Sequence, residues 1–200
     1  MAATNGYCVL ADITGPKDIT SIDAADDTRI EGYITSASRF IDEYAGHRFY
    51  VNSSDETRVY TAEDGSCVQV DDLVSVTTLK IDVDLDRVYE YTLATTDYDL
   101  LPGNAALKGK PYTRIEVAPA GLYSFPTQAK GVQVVGKFGY PAVPADIKQA
   151  CIMITIRLYQ NRFGQNVDGP ATITAAGVVI TPSDIPSDAL KILNLYKPRC

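Results

Sequence analysis

Three aspartates alternate with apolar residues in the middle of the chain, and carboxylates at this spacing can bind a divalent cation. Asp82, Asp84 and Asp86 match the first, third and fifth positions of a calcium-binding loop. Such a loop needs glycine at its sixth position and a bidentate glutamate at its twelfth, where this chain has Arg87 and Leu93. We therefore expect no metal here, and we interpret the three acids as the solvated face of a strand or ribbon.

Hydrolytic chemistry would need a base that activates a nucleophile, and the chain has a single histidine, His47. It lies between Gly46 and Arg48, a position that favours a role as a cation at the end of a helix. The sequence contains no GxSxG, HExxH or P-loop motif, and no GxGxxG ahead of a helix. We expect no catalytic residue, no metal and no cofactor.

The cysteines lie far apart and form no CxxC motif; they are Cys8, Cys67, Cys151 and Cys200. No apolar signal segment opens the sequence, so we expect a cytoplasmic protein with reduced thiols. Cys151 falls on an apolar helical stripe, where a free cysteine behaves as a small hydrophobic residue. A disulfide among the other three is the less favoured alternative.

The composition is that of a globular chain with an acidic balance. Of the 200 residues, 46% are hydrophobic and 22% are charged, which suits one domain or one domain with an insertion. The net charge is −7 and Lys and Arg form no cluster, which argues against sequence-specific DNA binding. No apolar run reaches the roughly 18 residues of a membrane span. The 13 tyrosines suit either interfaces or strands.

Two long helices must position any functional surface. The first is predicted over 26–45, because apolar residues recur at three- and four-residue spacing within one arc before Gly46. The second is predicted over 144–163 and begins at Pro144, whose missing N–H is not needed in a first turn. We expect the two helices to pack side by side.

The second helix carries two apolar stripes. The first stripe is Ile147, Cys151, Ile154 and Leu158, and the second is Ile152, Ile156, Tyr159 and Phe163. At 3.6 residues per turn the stripes lie roughly 140° apart. Because a surface helix ordinarily has one apolar stripe, this helix is predicted to contact two bodies, its own domain and a neighbour.

The region between the helices, 47–138, is predicted to be a β insertion. Its strand candidates are 57–61, 67–70, 74–81, 88–93, 98–101, 112–117 and 132–138, with a hairpin through Asp64-Gly65 joining the first two. The predicted fold class is therefore α+β. It has a helical core of two long packed helices plus a short C-terminal helix, with a small antiparallel β unit inserted between the long helices.

The two ends of the chain have a different character. Residues 1–25 are predicted to be an irregular lead-in, and residues 166–200 an arm with a short hairpin near 172–180 and a helix over 187–196. The helix begins at Ser187-Asp188, and its apolar face is Ala189, Leu190, Ile192, Leu193 and Tyr196. A helix of about ten residues is marginal alone, so it must pack against a partner.

Four segments together resemble a known family. They are TRIEGYITSASRFIDEYAGHRFY, VQVVGKFGYPAVP, ADIKQACIMITIRLYQNRF and PSDALKILNLYKP, and the second with the start of the third is the most specific part. The combination is similar to the head-to-tail connector proteins from the neck of tailed bacteriophages, which are also called adaptor or head completion proteins. Prophages and gene transfer agents carry related proteins. The stretch 166–186 matches nothing in the family pattern.

The resemblance implies a ring of twelve copies in the neck of the virion, between the portal of the DNA-filled head and the stopper or tail-terminator protein. The connector domain would span 26–165, and residues 166–200 would be an arm that docks on the portal. Double-stranded DNA would pass through the ring without sequence-specific binding, and no membrane would be involved. The protein would be made in the cytoplasm of the bacterial host.

The resemblance also implies roles for particular residues. The subunit interface would include Ile152, Ile156, Tyr159 and Phe163, and the portal-docking surface Leu190, Ile192, Leu193, Tyr196, Lys197 and Arg199. Asp82, Asp84 and Asp86 are candidates for acids of the DNA channel, since twelve copies at −7 each would total −84 and would repel DNA phosphates. Removal of residues 187–200 is expected to abolish portal binding while the domain stays folded.

A hypothesis of another class stays open. The β insertion could grip a glycan or another virion protein as a non-catalytic binding or decoration module, with the helices as its anchor. The adaptor hypothesis predicts a closed ring on the portal, whereas a decoration module permits any copy number. A hydrolase is a third hypothesis, for which the residues provide no activated nucleophile.

Overall fold

A computed structural model describes residues 5–15, 24–84, 86–119, 121, 123–162, 172–173, 179–180 and 185–197. The chain divides into two compact units. One is a β unit over Arg48–Ala142, and the other is a helical unit formed by Met1–His47 and Val143–Cys200.

The β unit is an antiparallel sheet of six strands. They are β1 (Glu56–Tyr60), β2 (Cys67–Ile81), β3 (Tyr91–Leu93), β4 (Tyr98–Leu101), β5 (Tyr112–Val117) and β6 (Val132–Phe138). The order across the sheet is β1-β6-β2-β5-β4, and β3 pairs with the end of β2. The sheet therefore places strands side by side that are far apart in the sequence.

Strand β2 connects the two halves of the sheet because it is 15 residues long. The first half of β2 pairs with β5, and the second half of β2, from Leu73 to Ile81, pairs with β6. The prediction of two separate strands is wrong, because Asp71 and Asp72 stay in the strand while the register shifts against both neighbours. Gly136 lies opposite such a shift, and a Cβ there would come within 2.1 Å of the Ser75 carbonyl oxygen.

The predicted hairpin between the first two strands is also wrong. The turn itself forms, since the backbone N–H of Ser66 donates to the Asp64 carboxylate at 2.8 Å. Strand β1, however, pairs with β6 from Glu56 to Tyr60, so β6 lies between β1 and β2. Local turn chemistry indicates where the chain reverses, but it does not determine which distant strand completes the pair.

The β unit has a hydrophobic core of its own, and the predicted fold class is wrong for this reason. Its buried cluster is Ala62, Val68, Val70, Leu73, Leu79, Ile81, Leu93, Tyr98, Ile115, Phe125, Val132, Val134 and Phe138. Among the described residues, 34% are helical and 26% are in strands. The fold is mixed and strand-rich, and it is not a helical core of two long helices that carries a small β unit.

In the described part of the helical unit there are four helices and a short pair of antiparallel strands, which is called the hairpin below. The helices are α1 (Leu10–Thr14), α2 (Ala24–Ala45), α3 (Ala145–Arg162) and α4 (Ser187–Asn194), and the hairpin is β7 (Thr172–Ile173) with β8 (Val179–Ile180). Helix α2 ends at Gly46, which has a φ of 69° and donates its N–H to the Asp42 carbonyl at 2.9 Å. The lead-in was expected to be irregular, yet it contains α1 with a fully buried Ile13.

Each helix of this unit buries one apolar face. The fully buried side chains of α2 are Ile30, Ile34, Ala37, Ser38, Ile41 and Ala45. Helix α3 buries Ile147, Ala150, Cys151, Ile154 and Thr155, and α4 buries Ala189 and Leu193. The core of the helical unit therefore includes α4, although α4 has only eight residues.

Candidate functional site

The two stripes of α3 differ in burial. Of the first stripe, Ile147 and Cys151 are 0% exposed and Ile154 is 3% exposed, so these three lie in the core, whereas Leu158 is half-buried. Of the second stripe, Ile152, Ile156 and Tyr159 are half-buried, and Phe163 lies outside the described residues. Half-buried apolar side chains keep area that a partner can cover, and covering it contributes a part of the about 1.5–3 kcal/mol that full burial of an exposed apolar side chain gives. A subunit contact at the second stripe stays a prediction.

Tyr159 is partly used by its own unit. Burial raises the pKa of the Tyr159 hydroxyl, and the nearby Asp26 carboxylate raises it further. Asp26 is 5% exposed and accepts a hydrogen bond from Arg29 at 3.0 Å near the start of α2. Tyr159 thus faces the first turns of α2, and the predicted contact with a neighbour would depend mainly on Ile152 and Ile156.

The predicted docking residues on α4 divide into buried and accessible ones. Leu193 is 0% exposed and belongs to the core, whereas Leu190 and Ile192 are half-buried. Leu195 lies just after the helix and is 79% exposed, and the sequence analysis did not include it. The accessible apolar surface of this segment therefore consists of Leu190, Ile192 and Leu195.

The segment after α4 is held to the helical unit by polar contacts. The Tyr196 hydroxyl lies 2.8 and 2.9 Å from the two carboxylate oxygens of Asp146, in the first turn of α3. The Lys197 ammonium lies 4.2 Å from the centre of the Tyr44 ring, and the Tyr44 hydroxyl donates to the Asn194 side chain at 2.8 Å. These contacts give Tyr196 and Lys197 a role within the chain. Arg199 lies outside the described residues.

The three aspartates lie in a loop after β2, and their interpretation as the solvated face of a strand is wrong. Asp82 is 1% exposed, and its carboxylate accepts the backbone N–H of Arg87 at 3.0 Å. Arg87 has a φ of 75°, so Asp82 closes a tight turn. Asp84 and Asp86 are exposed, as is Val83 at 55%. Asp82 is buried and Val83 faces solvent, whereas the sequence pattern predicts an exposed aspartate and a buried valine.

The loop brings the three carboxylates together. One oxygen from each of Asp82, Asp84 and Asp86 lies within 4.8 Å of the others, and no further group of three ligand-bearing residues occurs in the described part of the chain. Carboxylate oxygens suit hard cations such as Ca²⁺. Asp82 is nevertheless engaged by the turn, and solvated acids of this kind occur without a metal, so we assign none. A role in a DNA channel stays a prediction for Asp84 and Asp86.

Exposed apolar residues lie close together beside the acidic loop. Val83 and Tyr91 are 55% and 48% exposed; Val83 and Tyr123 line the same pocket, and the Tyr91 ring centre lies 6.2 Å from that of Tyr123. A surface of several adjacent exposed apolar side chains is typical of a protein contact. The sequence contained only a weak signal for this patch, because Val and Tyr were interpreted as strand residues.

Among the described residues, no helix is both long enough and apolar enough to cross a membrane. Comparison of the sequence with curated proteins gives no significant match. Two solved structures share the fold. A chain from the neck of an empty gene transfer agent particle, computed with C6 symmetry, matches 100% of this chain and 94% of its own length. The TM-score of this match is 0.60 and the sequence identity is 18%. A chain from the virion of a native gene transfer agent particle matches 91% of this chain and 83% of its own length. The TM-score of this match is 0.53 and the sequence identity is 20%.

A family model supplies the assignment. The model for head completion proteins matches residues 10–198, which is nearly the whole chain and covers both units. The match confirms the resemblance that rests on the helix, strand and turn segments of the sequence. Head completion is a structural role. The chain belongs to the head completion protein family.

Proposed function

We propose that this head completion protein forms a ring in the neck of a phage-like particle, joins the portal to the stopper or tail, and lets DNA pass through its channel. The family match supports a structural role in completing a head. The fold is shared with chains from the neck and virion of gene transfer agent particles. Made in the bacterial cytoplasm, the protein would act at the head–tail junction.

The observation that carries the proposal is the half-buried second stripe of α3. Ile152 and Ile156 keep apolar area on a helix whose other stripe is buried at Ile147, Cys151 and Ile154. In a ring each copy uses one surface to contact the next, and a heterologous contact of this kind repeats until the ring closes. Tyr159 would extend the contact along the helix, and Phe163, which lies outside the described residues, stays a predicted part of it.

Twelve copies are consistent with the symmetry of the related neck. A ring centred on a sixfold axis contains a multiple of six copies, and the neck that shares this fold was computed with C6 symmetry. The resemblance to connector proteins independently favours twelve.

The portal contact is proposed for the accessible residues around α4. Leu193 and Tyr196 fasten the segment to its own unit, and Leu190, Ile192 and Leu195 present apolar area. Lys197 and Arg199 would add charge near this surface. The docking element is then a helix on a folded unit, which loses less conformational freedom on binding than a free arm would.

Charge explains how DNA can move through such a ring. At −7 per copy, acids that face the channel repel phosphates and reduce their adhesion. Asp84 and Asp86 are exposed and suit this role, whereas Asp82 is engaged in a turn. Rings that carry Asp84→Lys and Asp86→Lys should retain DNA more strongly than unaltered rings in a pull-down at low salt. Unchanged retention would place these acids outside the channel.

A binding module centred on the β unit is the second candidate. The exposed side chains of Val83, Tyr91 and Tyr123 favour a virion protein as its partner, because adjacent exposed apolar residues suit a protein surface. In a ring adaptor the same patch would contact the stopper. Copy number separates the two: a closed ring supports the adaptor, and scattered single copies support the decoration module.

The test is assembly on the purified portal. We expect Ile156→Glu to abolish ring formation, because the carboxylate would be buried against a neighbour at a cost of several kcal/mol. Gln149→Glu adds the same charge to an exposed position of α3 and should assemble normally. Circular dichroism of both variants shows whether the fold is retained. A folded Ile156→Glu chain that still forms rings would remove the second stripe from the interface.

A further inference from the structure

Two cysteines that are far apart in the sequence meet in the helical unit. The Sγ atoms of Cys8 and Cys151 lie 3.5 Å apart and 143 residues separate them in the chain. Cys8 is 3% exposed and Cys151 is 0% exposed. A disulfide bond has an S–S distance of about 2.05 Å, so the two sulfur atoms would have to approach by about 1.5 Å to form one.

Polar groups around the pair favour reaction at Cys151. The Ser38 hydroxyl oxygen lies 3.5 Å from Cys151 Sγ and donates to the Ile34 carbonyl at 2.8 Å. The hydrogen bond from the Cys8 thiol lowers the pKa of Cys151, with further contributions from Ser38 and Thr155 against the opposing effect of burial. The same bond raises the pKa of Cys8. Cys151 is therefore the thiol that is more readily ionised.

The segment that carries Cys8 is held against α2 and α3 by several contacts. Its Tyr7 N–H donates to the Ser38 hydroxyl at 3.0 Å, and its Asn5 carbonyl accepts from Arg39 at 3.0 Å. Asp12 forms a 2.8 Å ion pair with Lys148 of α3. These contacts, with the buried Ile13, keep the two sulfur atoms close in the folded chain.

We propose that Cys8 and Cys151 are a disulfide site, reduced while the protein assembles in the cytoplasm and oxidised once the particle is released. The timing rests on the proposed function, since cytoplasmic thiols are kept reduced whereas virion surfaces are in an oxidising environment. The bond joins the N-terminal segment to α3 and stabilises the helical unit after assembly.

A peroxide is small enough to serve as the oxidant at a buried site. The Cys151 thiolate attacks one peroxide oxygen, the O–O bond breaks, and Cys151 becomes a sulfenic acid while the departing hydroxide takes up a proton. The Cys8 sulfur then attacks the Cys151 sulfur, the S–O bond breaks, and the hydroxyl leaves as water with the Cys8 proton. In sum two thiols lose two electrons, and hydrogen peroxide is reduced to two molecules of water.

The experiment uses the purified full chain and hydrogen peroxide. After oxidation we expect an intact mass that is lower by two hydrogen atoms, and a tryptic digest without reductant that joins peptides 1–17 and 149–157. The melting temperature should rise by about 5–15 °C and return on reduction, because the bond closes a long loop in the unfolded chain.

Paired variants identify the cysteines. Cys67→Ala with Cys200→Ala leaves only the proposed pair, and this chain should form the same cross-link and show the same melting shift. Cys8→Ala with Cys151→Ala leaves Cys67 and Cys200 and should show neither. Failure of the first variant to cross-link in the native state, cross-linking only in denaturant, or a cross-link without a melting shift would each overturn the proposal.

The proposed function is tested separately by assembly on the portal. A chain that cross-links as expected but forms no ring would contradict the ring and leave the disulfide chemistry intact. A chain that forms rings but no cross-link would contradict the disulfide alone.

Discussion

Asp82 and Asp84 are two residues apart and have opposite surroundings. The Asp82 carboxylate is buried and holds the Arg87 N–H, whereas Asp84 is exposed. We predict that Asp82→Ala lowers the free energy of unfolding by about 1–3 kcal/mol, because it leaves a backbone donor without its acceptor. Asp84→Ala should change it by less than about 0.5 kcal/mol. Urea denaturation of the two variants measures both values, and equal effects would mean that the turn does not depend on Asp82.

Glu56 is the centre of a polar network in the β unit. Its carboxylate accepts hydrogen bonds from Arg48 at 2.6 Å, from Arg58 at 2.7 Å and from Asn52 at 2.6 Å. Arg58 also pairs with Asp71 at 2.7 Å. Burial alone would raise the pKa of Glu56, but the hydrogen bonds from Arg58 and Arg48 outweigh it and lower the pKa below its ordinary value of 4.5.

This lowered pKa predicts a pH dependence of stability. A carboxyl whose pKa is lower in the folded state stabilises the fold above its unfolded pKa, and the contribution is lost as pH falls through the folded pKa. Glu56→Gln should therefore lower the free energy of unfolding by about 1–3 kcal/mol near neutral pH. The difference from the unaltered chain should shrink below about pH 4. A difference that stays constant from neutral to acidic pH in urea titrations would contradict the role of the ionised carboxylate.

At the scale of elements, the packing of α4 changes the result expected when residues 187–200 are removed. Removal of residues 187–200 was expected to leave the domain folded, but α4 contributes Ala189 and Leu193 to the core of the helical unit. Truncation would remove both, so loss of portal binding in a truncated chain would not distinguish docking from unfolding.

Point variants separate the two roles of this segment. Leu193→Ala should destabilise the helical unit by about 2–5 kcal/mol through the cavity it leaves. Leu195→Glu, at a side chain that is 79% exposed, should leave the melting temperature unchanged and weaken co-purification with the portal. Ser187→Glu adds the same single charge at an exposed position of α4 and is a matched control. Normal portal binding by Leu195→Glu would exclude this residue from the docking surface.

The elements that could be predicted from sequence are those with local signals. The spacing from Ile30 to Tyr44 and the cap at Gly46 define α2, which spans Ala24–Ala45. The partner of β1 could not be predicted in this way, because Tyr60 pairs with Val132 and no local pattern links the two strands. The long helices therefore dominated the prediction, and the core of the sheet was underestimated.

The candidate contact surfaces, like the secondary-structure elements, could be predicted from sequence only where the signal is local. The two stripes of α3 follow from helical periodicity, and their different burial could not be deduced before the partners of each stripe were known. The meeting of Cys8 with Cys151 was missed because it depends on a five-residue helix, α1, that has no apolar periodicity of its own. Leu195 was missed because its exposure depends on how α4 packs.

At the scale of the whole molecule, the two units suit different tasks. The helical unit carries the second stripe of α3 and the accessible face around α4, which are the proposed contacts with sister copies and with the portal. The β unit has its own core and an exposed patch around Val83 and Tyr91, which suits contact with the next protein of the neck. A chain with several contact surfaces and a net charge of −7 fits a ring that lines a path for DNA.

Electron cryomicroscopy of the chain assembled on its portal tests the central claim most directly. The account predicts a closed ring whose copy number is a multiple of six, in which Ile152 and Ile156 of each copy are covered by the adjacent copy. Single copies scattered on the particle, or a ring in which both side chains face solvent, would contradict it.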